Sequence, residues 1–249
     1  MPKFSSEFAH NYKTYSFGYA NYYRRAKRES LSSVYASGFL PYSGSRGVKD
    51  TFYMARSARV PLSSFSLSSE NRRVARKFDG HFERLSTPFP KFKITDGFIN
   101  FCVGYFDGRH GAAIMPRDRL LSILDSGLVT HIVSYLKDDA PAAYVFEVSD
   151  RHLTHFWFSF YDLSLIWQSL GMWLMLDSAR HAQVNNHTHF YLGTVYGEKA
   201  LYKTAFKGLE YWDGDRWVGD IKKLKSLSRS DTTRTLSGLD LWKSSTELF

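Results

Sequence analysis

The chain has 249 residues, 43% of them hydrophobic and 17% aromatic, enough to build a sizeable core in one large domain or two small ones. Its 33 Lys and Arg outweigh 24 Asp and Glu, and the resulting charge of +9 and pI near 9.5 favour a polyanionic partner: nucleic acid, an acidic peptide or a membrane surface. The single cysteine excludes a disulfide within the chain, and no apolar run approaches the roughly 20 residues that cross a bilayer.

In chain order, residues 1–20 read as irregular and aromatic-rich. A helix is predicted from Arg24 to Ser37, stopped by Gly38, followed by a glycine loop at Gly44–Gly47. TFYMARSARVPL alternates like one or two short strands, with Pro61 near an end. SLSSENRRVARK (66–77) carries a helix start, with Ser66 or Ser68 as cap and Glu70 in the first turn. A strand at 82–86 ends at the Pro88 and Pro90 break. Thr95 caps a helix to Tyr105, and Arg117–Ser126 forms another, closed by Gly127. Residues 128–136, 142–149 and 152–160 read as three consecutive antiparallel strands. A helix at 170–184 and a strand at 188–193 follow, then a hairpin at Asp213-Gly214, a preferred tight-turn pair. From Ser226 the composition shifts to Ser, Thr and Lys, which reads as a flexible tail, with a short docking helix at LSGLDLWK. Helices, a meander and strand–helix–strand make an α+β pattern.

Cys102 lies in the apolar run INFCVGYF and reads as a small buried hydrophobe. MPKFSSEFAH lacks the apolar core of a signal peptide, so a cytoplasmic protein with no membrane partner is expected. The nine His show no HxxxH or HExxH spacing, and no metal is proposed.

Phe156 to Trp217 is the most informative stretch. An aromatic strand (HFWFSFYD) meets a Gln-x-x-Gly turn, Gln168 and Gly171, that opens a long helix. The first N–H groups of a helix have no partner inside it, and its dipole is positive there, so such a turn is a pre-formed anion site. Acyltransferases of the N-acetyltransferase-like class hold an activated donor on a turn of this kind, which makes acyl transfer the leading reading.

Two blocks resemble the arginyl-tRNA–protein transferases and their bacterial leucyl-transferring relatives. The first contains GFLPYSG (Gly38–Gly44), TFYMARSARVPL and FSLSSENRRVARKFD (Phe65–Asp79), with Asn71 where the family usually has Gln. The second contains Tyr161-Asp162, Ser169-Leu170-Gly171, Tyr191-Leu192-Gly193, Leu201-Tyr202-Lys203, Phe206 and Trp217. The chain departs from the family in its cysteines: Met54, Ala55, Arg56 and Ser57 stand where a cluster is usual, so no metal or iron–sulfur site is implied.

The resemblance implies an α+β fold with an N-acetyltransferase-like mixed sheet flanked by helices. It divides the chain into an N-terminal region (1–90), an acyltransferase-like domain (91–225) and the tail (226–249). It implies transfer of an amino acid from aminoacyl-tRNA, a co-substrate rather than a cofactor, to the α-amine of a protein or peptide with an acidic N-terminus. No covalent intermediate is needed, because positioning and oxyanion stabilisation suffice.

Tyr161 and Asp162 are the candidate catalytic pair, Asp162 holding the amine or taking its proton; the alternative is a turn Asp. Gln168, Ser169, Leu170 and Gly171 form the turn, and Trp173 is assigned to stacking on an adenine or aminoacyl group. Arg72, Arg73 and Arg76 cover one helix side that would grip tRNA phosphates or an acidic N-terminus, against the alternative of a solvated face. Tyr191 and Gly193 lie on the neighbouring strand, and Tyr202 and Lys203 are assigned to the tRNA 3′ end. Two other functions remain open: an acyl-CoA-dependent N-acyltransferase, which Trp173 and the basic helix oppose, and a silent tRNA- or peptide-binding relative.

Overall fold

The computed structural model describes residues 7–11, 16–19, 21–43, 49–111 and 114–233. Strands β1 (Glu7–Asn11) and β2 (Ser16–Tyr19) pair antiparallel in a segment expected to be irregular. The helix expected from Arg24 starts later: β3 (Tyr22–Arg24) is a strand, and α1 (Leu31–Ala36) begins after Ser30, whose side chain accepts from Ser33 N. The reason is non-local, since β3 pairs with β5 (Thr51–Met54), which also pairs with β4 (Phe39–Pro41).

β6 (Ser57–Pro61) is followed by α2 (Ser69–Phe78), capped by Ser68, and by β7 (Glu83–Pro88). α3 (Asp96–His110) is capped by Thr95, and α4 (Arg117–Leu124) follows it. The meander is β8 (His131–Lys137), β9 (Ala140–Ser149) and β10 (Leu153–Tyr161). After a 3-10 turn at Leu163–Gln168 come α5 (Leu170–Val184) and β11 (His189–Thr194). A 3-10 segment, Glu198–Ala205, leads to the hairpin of β12 (Glu210–Trp212) and β13 (Trp217–Val218), which turns at Asp213-Gly214 as expected.

Eight strands form one mixed sheet in the order β13-β12-β6-β11-β10-β9-β8-β7. Every neighbouring pair is antiparallel except β10–β11, and α5 is the crossover that a parallel connection requires. β6 and β7 come from the first 90 residues, so the division at residue 90 does not separate two sheets. α3 and α5 pack on β10, and α2 packs on α5, around a core that includes Phe146, Phe160, Leu174 and Phe190. The smaller cluster of Tyr35, Leu40, Phe52, Val148 and Tyr191 joins α1 and the three-stranded sheet to the β10–β11 pair.

The expected flexible tail is in part a helix, α6 (Ile221–Thr233), packed on the 3-10 segment. Asp231 fixes it, accepting two bonds from Arg56 at 2.7 and 3.1 Å and one from Gly197 N at 3.0 Å. The LSGLDLWK segment lies outside the described residues. Among the described residues no helix is long and apolar enough to cross a membrane.

Candidate active site

The parallel pair is short. β10 and β11 are matched only over Leu153–His155 and His189–Tyr191. Beyond that register each strand has a bulge, at Phe156/Phe158 against β9 and at Tyr191/Gly193 against β6. The C-terminal half of β10 is therefore unpaired on the β11 side and opens a cleft of about 640 Å³. Its walls include Phe156, Ser159 and Tyr161 of β10, Ser169, Gly171, Met172 and Met175 at the start of α5, and Glu70 and Val74 of α2. Tyr105, Arg109 and His110 from the end of α3 and Lys199, Tyr202 and Ala205 from the 3-10 segment complete it.

The helix start that sequence singled out does face this cleft. Ser169 adopts a left-handed conformation (φ 72, ψ 34), and its carbonyl accepts from Met172 N and Trp173 N at 3.1 Å each. That engages Met172 N and Trp173 N and leaves the N–H groups of Leu170 and Gly171 at the start of α5, with the positive end of the helix dipole behind them. Gln168 is exposed in the preceding 3-10 turn, and Leu170 is fully buried beneath it.

Tyr161 lines the cleft, and its ring lies 4.7 Å from that of Tyr105. Burial, then the neighbouring Tyr161, pushes the Tyr105 phenol well up, so Tyr105 acts as a neutral hydroxyl. Asp162 does not join them. It is exposed and is not among the wall residues; its Oδ1 accepts from Ser164 N at 2.9 Å, and its own N–H donates to Ala142 O. That is the geometry of an Asp closing a turn at a strand end, the alternative weighed from sequence.

Trp173 is a correction. It is 4% exposed, packs on Phe78, Phe82 and Tyr135, and donates from Nε1 to Asp79 at 2.8 Å. Its position on α5 turns it toward α2 and the core rather than toward a ligand in the cleft.

The 3-10 segment explains why sequence selected the wrong neighbour. In a 3-10 helix residues three apart eclipse one another, and Lys199, Tyr202 and Ala205 form that cleft-facing row. Tyr202 is 49% exposed on the rim, whereas Lys203 turns its ammonium inward to Thr194 O at 2.7 Å. Tyr191 is buried on the opposite sheet face, 4.7 Å from the Tyr35 ring, and burial pushes its phenol up to about 12.

Arg72, Arg73 and Arg76 are exposed along α2. Arg73 pairs with Glu70 at 2.6 Å, and Arg72 donates to Leu67 O at 2.8 Å. Buried Asn71 donates to Ala205 O at 3.2 Å, holding this helix to the cleft wall.

Sequence reading missed Tyr105, Arg109, His110 and Lys199. Burial, then the charges of Arg109 and Lys199, pulls His110 down to about 4, so its imidazole is neutral near pH 7. Among the described residues no group of three His, Cys, Asp or Glu is arranged to hold a metal. Cys102 is buried, and desolvation pushes its thiol up.

Residues 117–207 match the acetyltransferase (GNAT) domain family. The aspartate/glutamate leucyltransferase of Hyphomonas neptunium is 30% identical over 173 residues, covering 65% of this chain and 67% of that protein. That of Parvibaculum lavamentivorans is 30% identical over 169 residues, covering 65% and 68%. Among solved structures, the C-terminal domain of a putative lysylphosphatidylglycerol synthetase from Agrobacterium fabrum is similar with a TM-score of 0.44 and 14% identity, covering 71% of this chain and 55% of that one.

Proposed function

We propose, from the premise that this chain belongs to the aspartate/glutamate leucyltransferase family, that it transfers an amino acid from aminoacyl-tRNA to the α-amine of a protein or peptide with an acidic N-terminus. The observation that carries this reading is the cleft where β10 parts from β11, with the start of α5 on one wall and a cationic, aromatic rim on the other. An aminoacyl ester needs no nucleophilic side chain. It needs its carbonyl held beside the incoming amine and its developing oxyanion met by fixed donors, which the first N–H groups of α5 supply.

The rest of the cleft suits the two substrates. Tyr202, exposed on the rim, offers a ring on which the terminal base of the tRNA stacks. Arg72, Arg73 and Arg76 on α2 lie along one side and would take acceptor-stem phosphates. Arg109 and Lys199 are exposed side chains on the cleft wall, and no ion pair of either with a carboxylate is seen among the described residues. They are placed to take the acidic side chain of the acceptor's first residue, Arg109 through its two-pronged guanidinium. Tyr161 and Tyr105 add their phenol rings to the wall.

A second reading, N-acylation from acyl-CoA, is favoured by the match to the acetyltransferase domain family. One assay separates the two: purified protein with a pool of radiolabelled aminoacyl-tRNAs and peptides beginning with Asp, Glu, Lys or Ala, beside RNase and acetyl-CoA controls. RNase-sensitive label on Asp and Glu peptides is the expected result. Label from acetyl-CoA alone would replace the first reading with the second.

A further inference from the structure

A second cavity, of about 460 Å³, lies under the other end of α5. Glu147 of β9 is paired across strands with His131 of β8 and with Phe156 of β10, and Phe156 lines the cleft described above. Cross-strand partners share a sheet face, so both cavities lie on one face, the first beneath the start of α5 and the second beneath its last two turns. Glu147 and Ser178 line the second and are 5% and 1% exposed. Glu147 Oε1 and Ser178 Oγ are buried, and neither has a hydrogen-bond partner of proper geometry among the described residues. Arg84 stands behind Glu147 rather than on the wall; its terminal nitrogen is 3.7 Å from Oε1, beyond hydrogen-bond reach, and its Nε is 3.2 Å from Asp177 Oδ2. Burial pushes the Glu147 carboxyl up, against smaller pulls from Arg84 and the Ser178 hydroxyl, as expected of a carboxylate short of partners. Two buried acceptors left open on a cavity wall cost stability unless something fills them.

The rest of the wall is polar and short of positive charge. Among the described residues that line it, only Ala182 is apolar. Burial above all pulls His131, His181 and His187 below the usual imidazole range, so near pH 7 they present neutral rings. His131 Nδ1 meets the Thr130 and Ser149 hydroxyls at 3.1 and 3.2 Å, and His187 Nδ1 meets Thr154 Oγ1 at 2.8 Å, which leaves the Nε2 of both rings for a ligand. At the mouth, exposed Arg151 donates from Nε to His152 Nε2 at 2.8 Å, and the Asp150 carboxylate is taken by Ser32, His152 N and Leu153 N. The last turn of α5 adds the negative end of its dipole. We propose that this cavity binds a small organic ammonium with further hydrogen-bonding groups, an amino alcohol in its simplest form, the ammonium on Glu147 Oε1 and Ser178 Oγ and the hydroxyls on the imidazole and Ser/Thr walls. An ammonium has donors and no acceptor, which matches two open acceptors, whereas an anionic ligand would meet the Glu147 charge. The site is separate from the cleft of the transfer reaction, and the inference does not rest on the function proposed above.

The probe is serinol, which carries an ammonium on the middle carbon of the glycerol skeleton, beside glycerol and glycerate as neutral and anionic counterparts. Titration calorimetry of the full chain in an amine-free buffer is expected to show saturable serinol binding at about 1 mM or below, and little heat from the other two. A protein of net charge +9 draws anions in general and not amines, so saturable amine binding requires a local site. Glu147→Gln keeps the shape and removes the charge, and should weaken serinol binding about 10-fold or more. In the wild type, serinol should move the imidazole NMR signals of His131, His181 and His187 and leave that of His110, on the first cleft, in place. That spectrum needs no variant and decides the matter if Glu147→Gln unfolds. No saturable serinol binding, equal binding of glycerol, a preference for glycerate, unchanged affinity in folded Glu147→Gln, or shifts confined to His110 would each overturn the inference.

Discussion

The hydroxyl end of Tyr161 closes on Gly171: a Cβ added to that glycine would stand 2.9 Å from the Tyr161 oxygen and 3.0 Å from its Cε1. The end of β10 and the first turn of α5 are therefore locked face to face, and their separation sets where a carbonyl sits relative to the helix N–H groups. Gly171→Ala must push the ring, which is not a flexible chain end. We expect about 1–3 kcal/mol of destabilisation in urea unfolding. A displacement of about 1 Å at the reacting atoms should cost about 10²-fold in transfer. Wild-type activity in a stable Gly171→Ala protein would mean the ring does not set the site.

Asp162 gives a sharp contrast between position in sequence and position in space. Its carboxylate closes a turn by accepting from Ser164 N and stands outside the cleft. Asp162→Asn keeps that acceptor and should leave kcat and KM close to wild type. Asp162→Ala loses it and should lower stability by about 0.5–2 kcal/mol, as at a helix cap, again with little change in kcat. A fall of about 100-fold or more in Asp162→Asn at unchanged stability would restore a catalytic role.

Arg109 and Lys199 carry the acceptor prediction. Replacing each with Gln should lower kcat/KM for Asp- and Glu-initiated peptides by about 10-fold or more per charge, since a hydrogen bond to a charged group contributes about 1.5–3 kcal/mol. Transfer to Asn-initiated peptides should change little. Equal losses for acidic and neutral peptides would assign the two cations to the tRNA, and the salt slope of tRNA binding would then fall by about one for each phosphate no longer held.

What was legible in the sequence was local. Ser68 and Thr95 cap the helices expected of them, the three meander strands and α5 run close to their predicted spans, and Asp213-Gly214 turns a hairpin. The α5 start could be read as an anion site because a helix terminus has that property wherever it is. Non-local pairing was not legible. Nothing in Ser57–Pro61 says that it lies between β11 and β12, and Arg24, expected to open a helix, instead ends β3, which pairs with β5 beyond α1 and β4 in the chain. Other wall residues of the cleft were hidden for a different reason. Arg109 and His110 lie beyond Tyr105, where the expected helix ended, whereas α3 runs on to His110, and the row of Lys199, Tyr202 and Ala205 has the period of a 3-10 helix.

Asp79 makes the last prediction, one of pH. It accepts from both terminal nitrogens of Arg180 at 3.0 and 2.7 Å and from Trp173 Nε1, joining the end of α2 to α5. The Arg180 hydrogen bonds hold its carboxyl below the usual carboxylate range, against a smaller opposing effect of burial. A carboxyl whose folded pKa is depressed stabilises fully above its unfolded value, near about 3.9, and loses that contribution as pH falls through the folded one. Because 45% of the Asp79 side chain is exposed, solvent screening limits the gain to about 1 kcal/mol or less. Asp79→Asn keeps an acceptor for Trp173 and loses the charge. Its urea midpoint should lie below wild type at pH 7, with the two converging once pH drops below about 4. A gap that stays constant from pH 7 to about pH 3 would assign the loss to packing of the amide rather than to the Arg180 pair.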